Sequence, residues 1–153
     1  NPSLDGVFGL EYNRGGATLL AEYFVKKVFD YEAIFEPPLP SSPEEMATYP
    51  LLMANYQFAN LNRELFGEVK EVNHSVGLSY QQRLLYDQLT FDLSLIANIT
   101  SEQWMVRSSL EWSIRDNLSA TIGGNYITGP EGTIFHYTKG IINGLFAQVK
   151  VSF

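Results

Sequence analysis

The stretch Leu145-Phe146-Ala147-Gln148-Val149-Lys150-Val151-Ser152-Phe153 decides the fold. Leu145, Ala147, Val149, Val151 and Phe153 take one side, while Phe146, Gln148, Lys150 and Ser152 take the other. A period of two belongs to a strand whose faces meet different surroundings, because successive side chains point to opposite sides. Only Phe146 breaks the polar side.

The same rhythm runs back along the chain. Leu118, Ala120, Ile122, Gly124 and Tyr126 oppose Asn117, Ser119, Thr121, Gly123 and Asn125, bounded by the turn residues Arg115-Asp116-Asn117 and by Gly129-Pro130. Trp104, Val106, Leu110, Trp112 and Ile114 share a side, with Ser108 as the exception, against Met105, Arg107, Ser109, Glu111 and Ser113. Leu89, Phe91, Leu93, Leu95, Ala97 and Ile99 predict a further strand, and Val72, His74, Val76, Leu78 and Tyr80 another. In the first half, Phe8, Leu10 and Tyr12 followed by Asn13-Arg14-Gly15-Gly16 and then Ala17, Leu19, Ala21, Tyr23 and Val25 predict a hairpin, its glycines supplying positive φ. Leu52, Ala54, Tyr56 and Phe58 against Met53, Asn55, Gln57 and Ala59 also alternate and predict an eighth strand. Residues 31–49 hold Glu36-Pro37-Pro38 and Pro40-Ser41-Ser42-Pro43-Glu44-Glu45, which reads as a loop because proline cannot donate to a ladder. A shorter loop is expected over 128–143, and nothing reads as a long helix. The expectation is therefore an all-β, antiparallel up-and-down barrel of about eight strands in one domain, 1–153, complete or the C-terminal part of a larger barrel.

Composition narrows the surroundings. The chain has 153 residues, 45% hydrophobic, 14% aromatic and only 18% charged, below the roughly 25% of an average globular domain. Ten Lys and Arg against 17 Asp and Glu give a net charge of −7, which argues against a phosphate-tracking, nucleic-acid-binding surface. No cysteine occurs, so disulfides, thiolate metal sites and cysteine nucleophiles are excluded. The longest hydrophobic run is the four residues Leu51-Leu52-Met53-Ala54, where a spanning helix needs about 20. The chain starts at Asn1 without a basic-apolar leader, which fits either a processed protein or a piece of a longer one.

Amphipathic strands fit a soluble barrel with its apolar side inward or a membrane barrel with that side outward. The polar side favours the second. It is mostly Ser, Thr, Asn, Gln and Gly with sparse charges, whereas a water-exposed surface is normally studded with Lys and Glu. Tyr12, Tyr23, Tyr80, Trp104, Trp112, Tyr126 and Phe153 stand toward the ends of the apolar stripes, as a membrane girdle would require. A soluble lipocalin-like ligand-binding barrel is the alternative.

The closing Phe153, preceded by Val151, Val149 and Ala147, resembles the last strand of bacterial outer-membrane β-barrel proteins, and Gly9-Leu10-Glu11-Tyr12 with Ala21-Glu22-Tyr23 looks like a porin-type hairpin. The resemblance implies a bacterial outer-membrane location, a lipid bilayer around the barrel, and Phe153 as part of the signal read by the outer-membrane assembly machinery. It also implies short turns on the periplasmic side, where an eight-strand count would place the long 31–49 loop; the two expectations conflict.

The chemistry-bearing residues are few. His74 and Ser75 are adjacent on a predicted strand, so they point to opposite sides and cannot form a base–nucleophile pair. Their expected role, like that of loop residue His136, is not catalytic, and two distant histidines make no metal site. The chain is expected to be non-enzymatic, with no cofactor and no metal. The inward charges Glu11, Glu22, Lys26, Asp92, Arg107, Glu111 and Lys150 are the informative set. They predict either a charged lining that biases which small solute passes, or opposed ion pairs sealing a closed eight-stranded barrel that acts through its loops.

Overall fold

A computed structural model describes residues 2–152. Its seven strands form one antiparallel sheet in chain order: β1 (Ser3–Arg14), β2 (Ala17–Val28), β3 (Val72–Leu84), β4 (Leu89–Asn98), β5 (Gln103–Arg115), β6 (Leu118–Thr128) and β7 (Gly144–Val151). Two helices interrupt the meander, α1 (Pro43–Leu65) and α2 (Ile134–Ile142). The all-β expectation therefore holds at the level of an antiparallel sheet. The sheet is open: β1 and β7 each have a single neighbour. In a meander of seven strands the first and last run in the same direction, so joining them would require a parallel pair that an up-and-down antiparallel barrel does not contain.

The expected eighth strand is not there. Residues 52–59 lie within the 23-residue α1, so the count falls to seven and the expectation of no long helix is overturned. The reason is local. Ser42 caps the helix by accepting from the Glu45 N–H, Pro43 occupies the first turn, and Glu44 and Glu45 favour its positive end. At the other end Gly67 takes a left-handed φ of 63° while its N–H and that of Glu68 bond back to Glu64 and Arg63. The expected 31–49 loop thus stops being loop at Pro43. The expected 128–143 loop contains α2, started by Thr133 as its cap, and His136 stands on that helix rather than in a loop.

With seven strands the connections sort by end. The turns at 15–16, 85–88 and 116–117 share one end, and the long connections 29–71 and 129–143, with the four-residue turn 99–102, share the other. The conflict over the long loop disappears, because it arose from the miscounted strand. Gly15 and Gly16 both have positive φ, as a two-residue hairpin of type I′ requires.

There is almost no core. Among the described residues Val28, Ala97 and Ile127 are the buried hydrophobic ones, and no second layer covers the sheet. Burial concentrates at the helical end, where Asn73, Gln103, Ser101 and Thr133 are also buried. Phe153, the expected assembly signal, lies outside the described residues.

Candidate functional site

Register fixes which side chains share a face. The pairings Glu11 with Leu20, Leu20 with Ser79, Ser79 with Ser94, Ser94 with Arg107 and Arg107 with Asn125 draw one line across six strands. Glu22 and Gly77, Asp92 and Ser109, Glu111 and Thr121, and Ser119 and Lys150 occupy neighbouring lines on the same side. All six expected lining residues, Glu11, Glu22, Asp92, Arg107, Glu111 and Lys150, therefore stand on one face. The strands hold twelve charged residues. Nine of them (these six with Asp5, Lys26 and Arg83) are on that face, and the other three, Arg14, Lys27 and Arg115, sit at or next to strand ends.

The charges are not sealed as opposed pairs. Among the described residues the sole ion pair is Lys26 with Glu68, 3.4 Å apart, in which Glu68 belongs to the segment after α1. Glu11 accepts from Asn13 at 2.6 Å, Asp92 accepts from Gln81 at 2.9 Å, and the Arg107 guanidinium lies 5.7 Å from the centre of the Phe146 ring. Glu11 and Arg107 are level but four strand spacings apart, about 19 Å at about 4.8 Å each, too far to bond. Phe146, the one apolar break in the closing strand, has a purpose here: its ring covers Gly123, where an added Cβ would come within 2.5 Å of Cζ.

The opposite face is apolar and unshielded. Leu93, Ile122 and Val149 are 37%, 59% and 69% exposed, so they do not meet in a dry centre. Tyr12, Tyr23, Tyr80, Trp104, Trp112 and Tyr126, the expected girdle, all stand on this face by register, with Tyr23 and Trp104 toward the helical end and Trp112 toward the turn end. Tyr23 and His74 share it too, the phenol and Nδ1 lying 2.6 Å apart, while Ser75 faces the other way. His74 is thus partnered by a tyrosine and not by a nucleophile. A groove of about 580 Å³ on this side is walled mainly by Phe91, Leu110, Ile122, Leu145 and Ala147, with Ser108 and Ser109 as its polar side chains; it gathers no charged or titratable group and is a predominantly apolar surface.

The helical end adds residues that periodicity did not single out. Lys26, on the polar face of β2, donates to the Phe66 carbonyl at 2.7 Å as well as reaching Glu68. Tyr31 donates to the Val69 carbonyl, and Arg63 stacks 4.9 Å above the Tyr31 ring. Glu64 of α1 accepts from the Ile134 N–H at 2.7 Å, and buried Gln103 of β5 accepts from the Phe135 N–H at 3.1 Å, so the first free amides of α2 are held by two other elements. Asn143 grips both the N–H and the carbonyl of Ile127. Burial pushes the Glu64 carboxyl above its ordinary value, against the lowering pull of its bonds from Ile134 and Gln103. These ties anchor the helices over the end of the sheet on its polar side, which Val28, Asn73, Gln103 and Ile127 share by register.

Charge is partitioned as well. Residues 29–71 hold eight acids and two bases, and therefore supply six of the seven net negative charges. Among the described residues no group of three His, Asp or Glu is placed to hold a metal ion. Among the described residues no helix is long and apolar enough to cross a membrane, which says nothing of crossing by strands. No family model, curated protein or solved structure matches the chain.

Proposed function

We propose that the sheet is a wall segment of a bacterial outer-membrane β-barrel that passes small solutes. The apolar face meets acyl chains, and the polar face lines the passage with Glu11, Glu22, Asp92, Arg107, Glu111 and Lys150. The observation that carries this reading is the segregation of charge: nine of twelve strand charges on one face, and an opposite face whose interior is uncharged and unshielded. Such an apolar surface is far larger than a soluble monomer normally exposes, and in hydrocarbon the backbone of a strand is satisfied only within a sheet. Trp104 and Trp112 support it. They are eight residues apart on β5, about 27 Å along the strand, or about 20 Å across the bilayer after a tilt of about 40°.

Parity says how the wall would close. Seven strands need an odd number of further strands between β7 and β1 for every pair to be antiparallel; one would close an eight-stranded barrel and more would close a larger one, so parity excludes only closure by these seven alone. By analogy with that class, the tight turns would be periplasmic and the helices would stand at the outer mouth. The bilayer and the assembly machinery are the partners this reading requires, with Phe153 as part of the assembly signal, and neither an enzyme activity nor a cofactor enters it.

Conductance of the full-length protein in planar bilayers tests the proposal. Steady single-channel steps are expected, shifted in ion preference by Arg107→Glu; folded protein that inserts without conducting would reject the conduit. A second reading, a surface-interaction barrel acting through its helices, is favoured by one observation: α1 buries none of its residues, leaving Leu51 and Phe58 exposed. The same experiment separates the two readings.

A further inference from the structure

One stripe of α1 faces α2. Met53, Tyr56, Gln57, Asn60, Arg63 and Glu64 recur at the three- and four-residue steps that share a helix face, and with Glu36, Glu131 and Tyr137 opposite they wall a cavity of about 490 Å³. Small-ligand sites fall in the range of about 300–1,000 Å³.

The polar groups in this wall divide into two sets. Glu64 is committed to the fold through Ile134, and Thr133 through its capping bonds. Glu36, Tyr56, Gln57, Asn60, Glu131 and Tyr137 make no side-chain hydrogen bond to any other described residue, although they converge on one space. The buried polar side chains at this end are paired, as Asn73 is with Lys70 and Gln103 with Ser101, whereas of the cleft groups Glu36, Gln57, Glu131 and Tyr137 are exposed to solvent and Tyr56 and Asn60 are half-buried. Uncommitted, convergent polar groups are what a ligand's own hydrogen bonds would satisfy.

The lining also selects the ligand's chemistry. Three carboxylates against the single Arg63 disfavour an anion, and no metal-holding group of acids is present among the described residues. Two amides, two free carboxylates and a guanidinium are planar, two-pronged groups that match neighbouring hydroxyls. Tyr56 and Tyr137 supply flat rings for the apolar side of a sugar. We propose that this cleft binds a neutral, polyhydroxylated solute, a short saccharide, at the mouth of the passage. The placement at a mouth rests on the conduit reading; the binding does not.

The test is calorimetric titration of the detergent-folded full-length protein with maltose, with glucose 6-phosphate and spermidine as anionic and cationic counter-probes. Saturable maltose binding is expected, weakened roughly tenfold in Gln57→Ala/Asn60→Ala by the loss of two hydrogen bonds. Glucose 6-phosphate should bind more weakly than maltose. Alanine is the best helix former, so α1 survives the double substitution, and circular dichroism checks that it has. Absence of saturable maltose binding, binding unaffected by the double variant, or spermidine binding more tightly than maltose and lost in the same variant would each overturn the proposal. Maltose binding without conductance would sink the conduit and spare the cleft, whereas conductance without maltose binding would do the reverse.

Discussion

The two faces of the sheet share every strand and every backbone hydrogen bond, yet differ in what their side chains ask of the surroundings. Leu93 and Ser94 are adjacent residues at one depth, and their side chains leave the sheet in opposite directions. One face offers aliphatic groups flanked by Tyr and Trp; the other offers hydroxyls, amides and charges, with hydrogen bonds such as Asn13 to Glu11 and Gln81 to Asp92 but no ion pair between strands among the described residues. An ordinary soluble sheet hides its apolar side against a second layer, and among the described residues there is none. The difference teaches that the sheet is organised by the alternation of its two faces rather than by a core, since among the described residues only Val28, Ala97 and Ile127 are buried hydrophobics.

That contrast can be broken deliberately. Leu93→Arg puts a cation on the apolar side and should cost about 2–4 kcal/mol near the bilayer midplane, while Ser94→Arg, one residue away and opposite Arg107, should cost no more than about 1 kcal/mol, the repulsion of a like-charged cross-strand pair. Urea titration of the vesicle-folded protein reads both, and equal costs would erase the distinction between the faces. The polar side is also packed at one point: Gly123→Ala sets a Cβ 2.6 Å from the Ser108 carbonyl as well as against the Phe146 ring and should cost about 1–3 kcal/mol. Gly144→Ala, with nothing within 4 Å, is its control.

The turn end sharpens the comparison further. Leu85, Tyr86 and Asp87 all hold positive φ, Tyr86 at 56°, a conformation that costs about 1–2 kcal/mol for a side chain. Tyr86→Gly should therefore raise stability by about 1 kcal/mol, read in the same titration. The smallest effect is expected at the helical end. Because burial raises the Glu64 carboxyl above 4.5, docking α1 against α2 favours its protonated form. That contribution is fully present below the ordinary value and is lost as pH rises through the raised one. Hydrogen exchange at the Ile134 amide should be slower in mild acid than at neutral pH after correction for intrinsic rates, and Glu64→Gln should remove the difference.

Much of this was legible in the sequence because apolar and polar side chains alternate along each strand, and parity alone put Glu11, Glu22, Asp92, Arg107, Glu111 and Lys150 on one side. α1 was not, for a physical reason. It buries none of its residues, so no core enforces a helical period, and Leu52, Ala54, Tyr56 and Phe58 alternate by chance. The signal that could have found it was Ser42-Pro43-Glu44-Glu45, a cap followed by proline and acids at a helix start, which the neighbouring prolines made look like loop. Glu64 with Ile134 and Gln103 with Phe135 are 70 and 32 residues apart, and no local pattern encodes such meetings. The single strand misread from α1 also produced the apparent conflict over which end carries the long connection.

Both tryptophans of the chain, Trp104 and Trp112, stand on the apolar face, which makes fluorescence quenching the most direct test of orientation. In vesicles of phospholipids brominated along the acyl chain, both should be quenched, as Trp104→Phe and Trp112→Phe read one at a time, while aqueous iodide leaves them bright. Quenching by iodide with no response to brominated lipid would place this face in water and contradict the account.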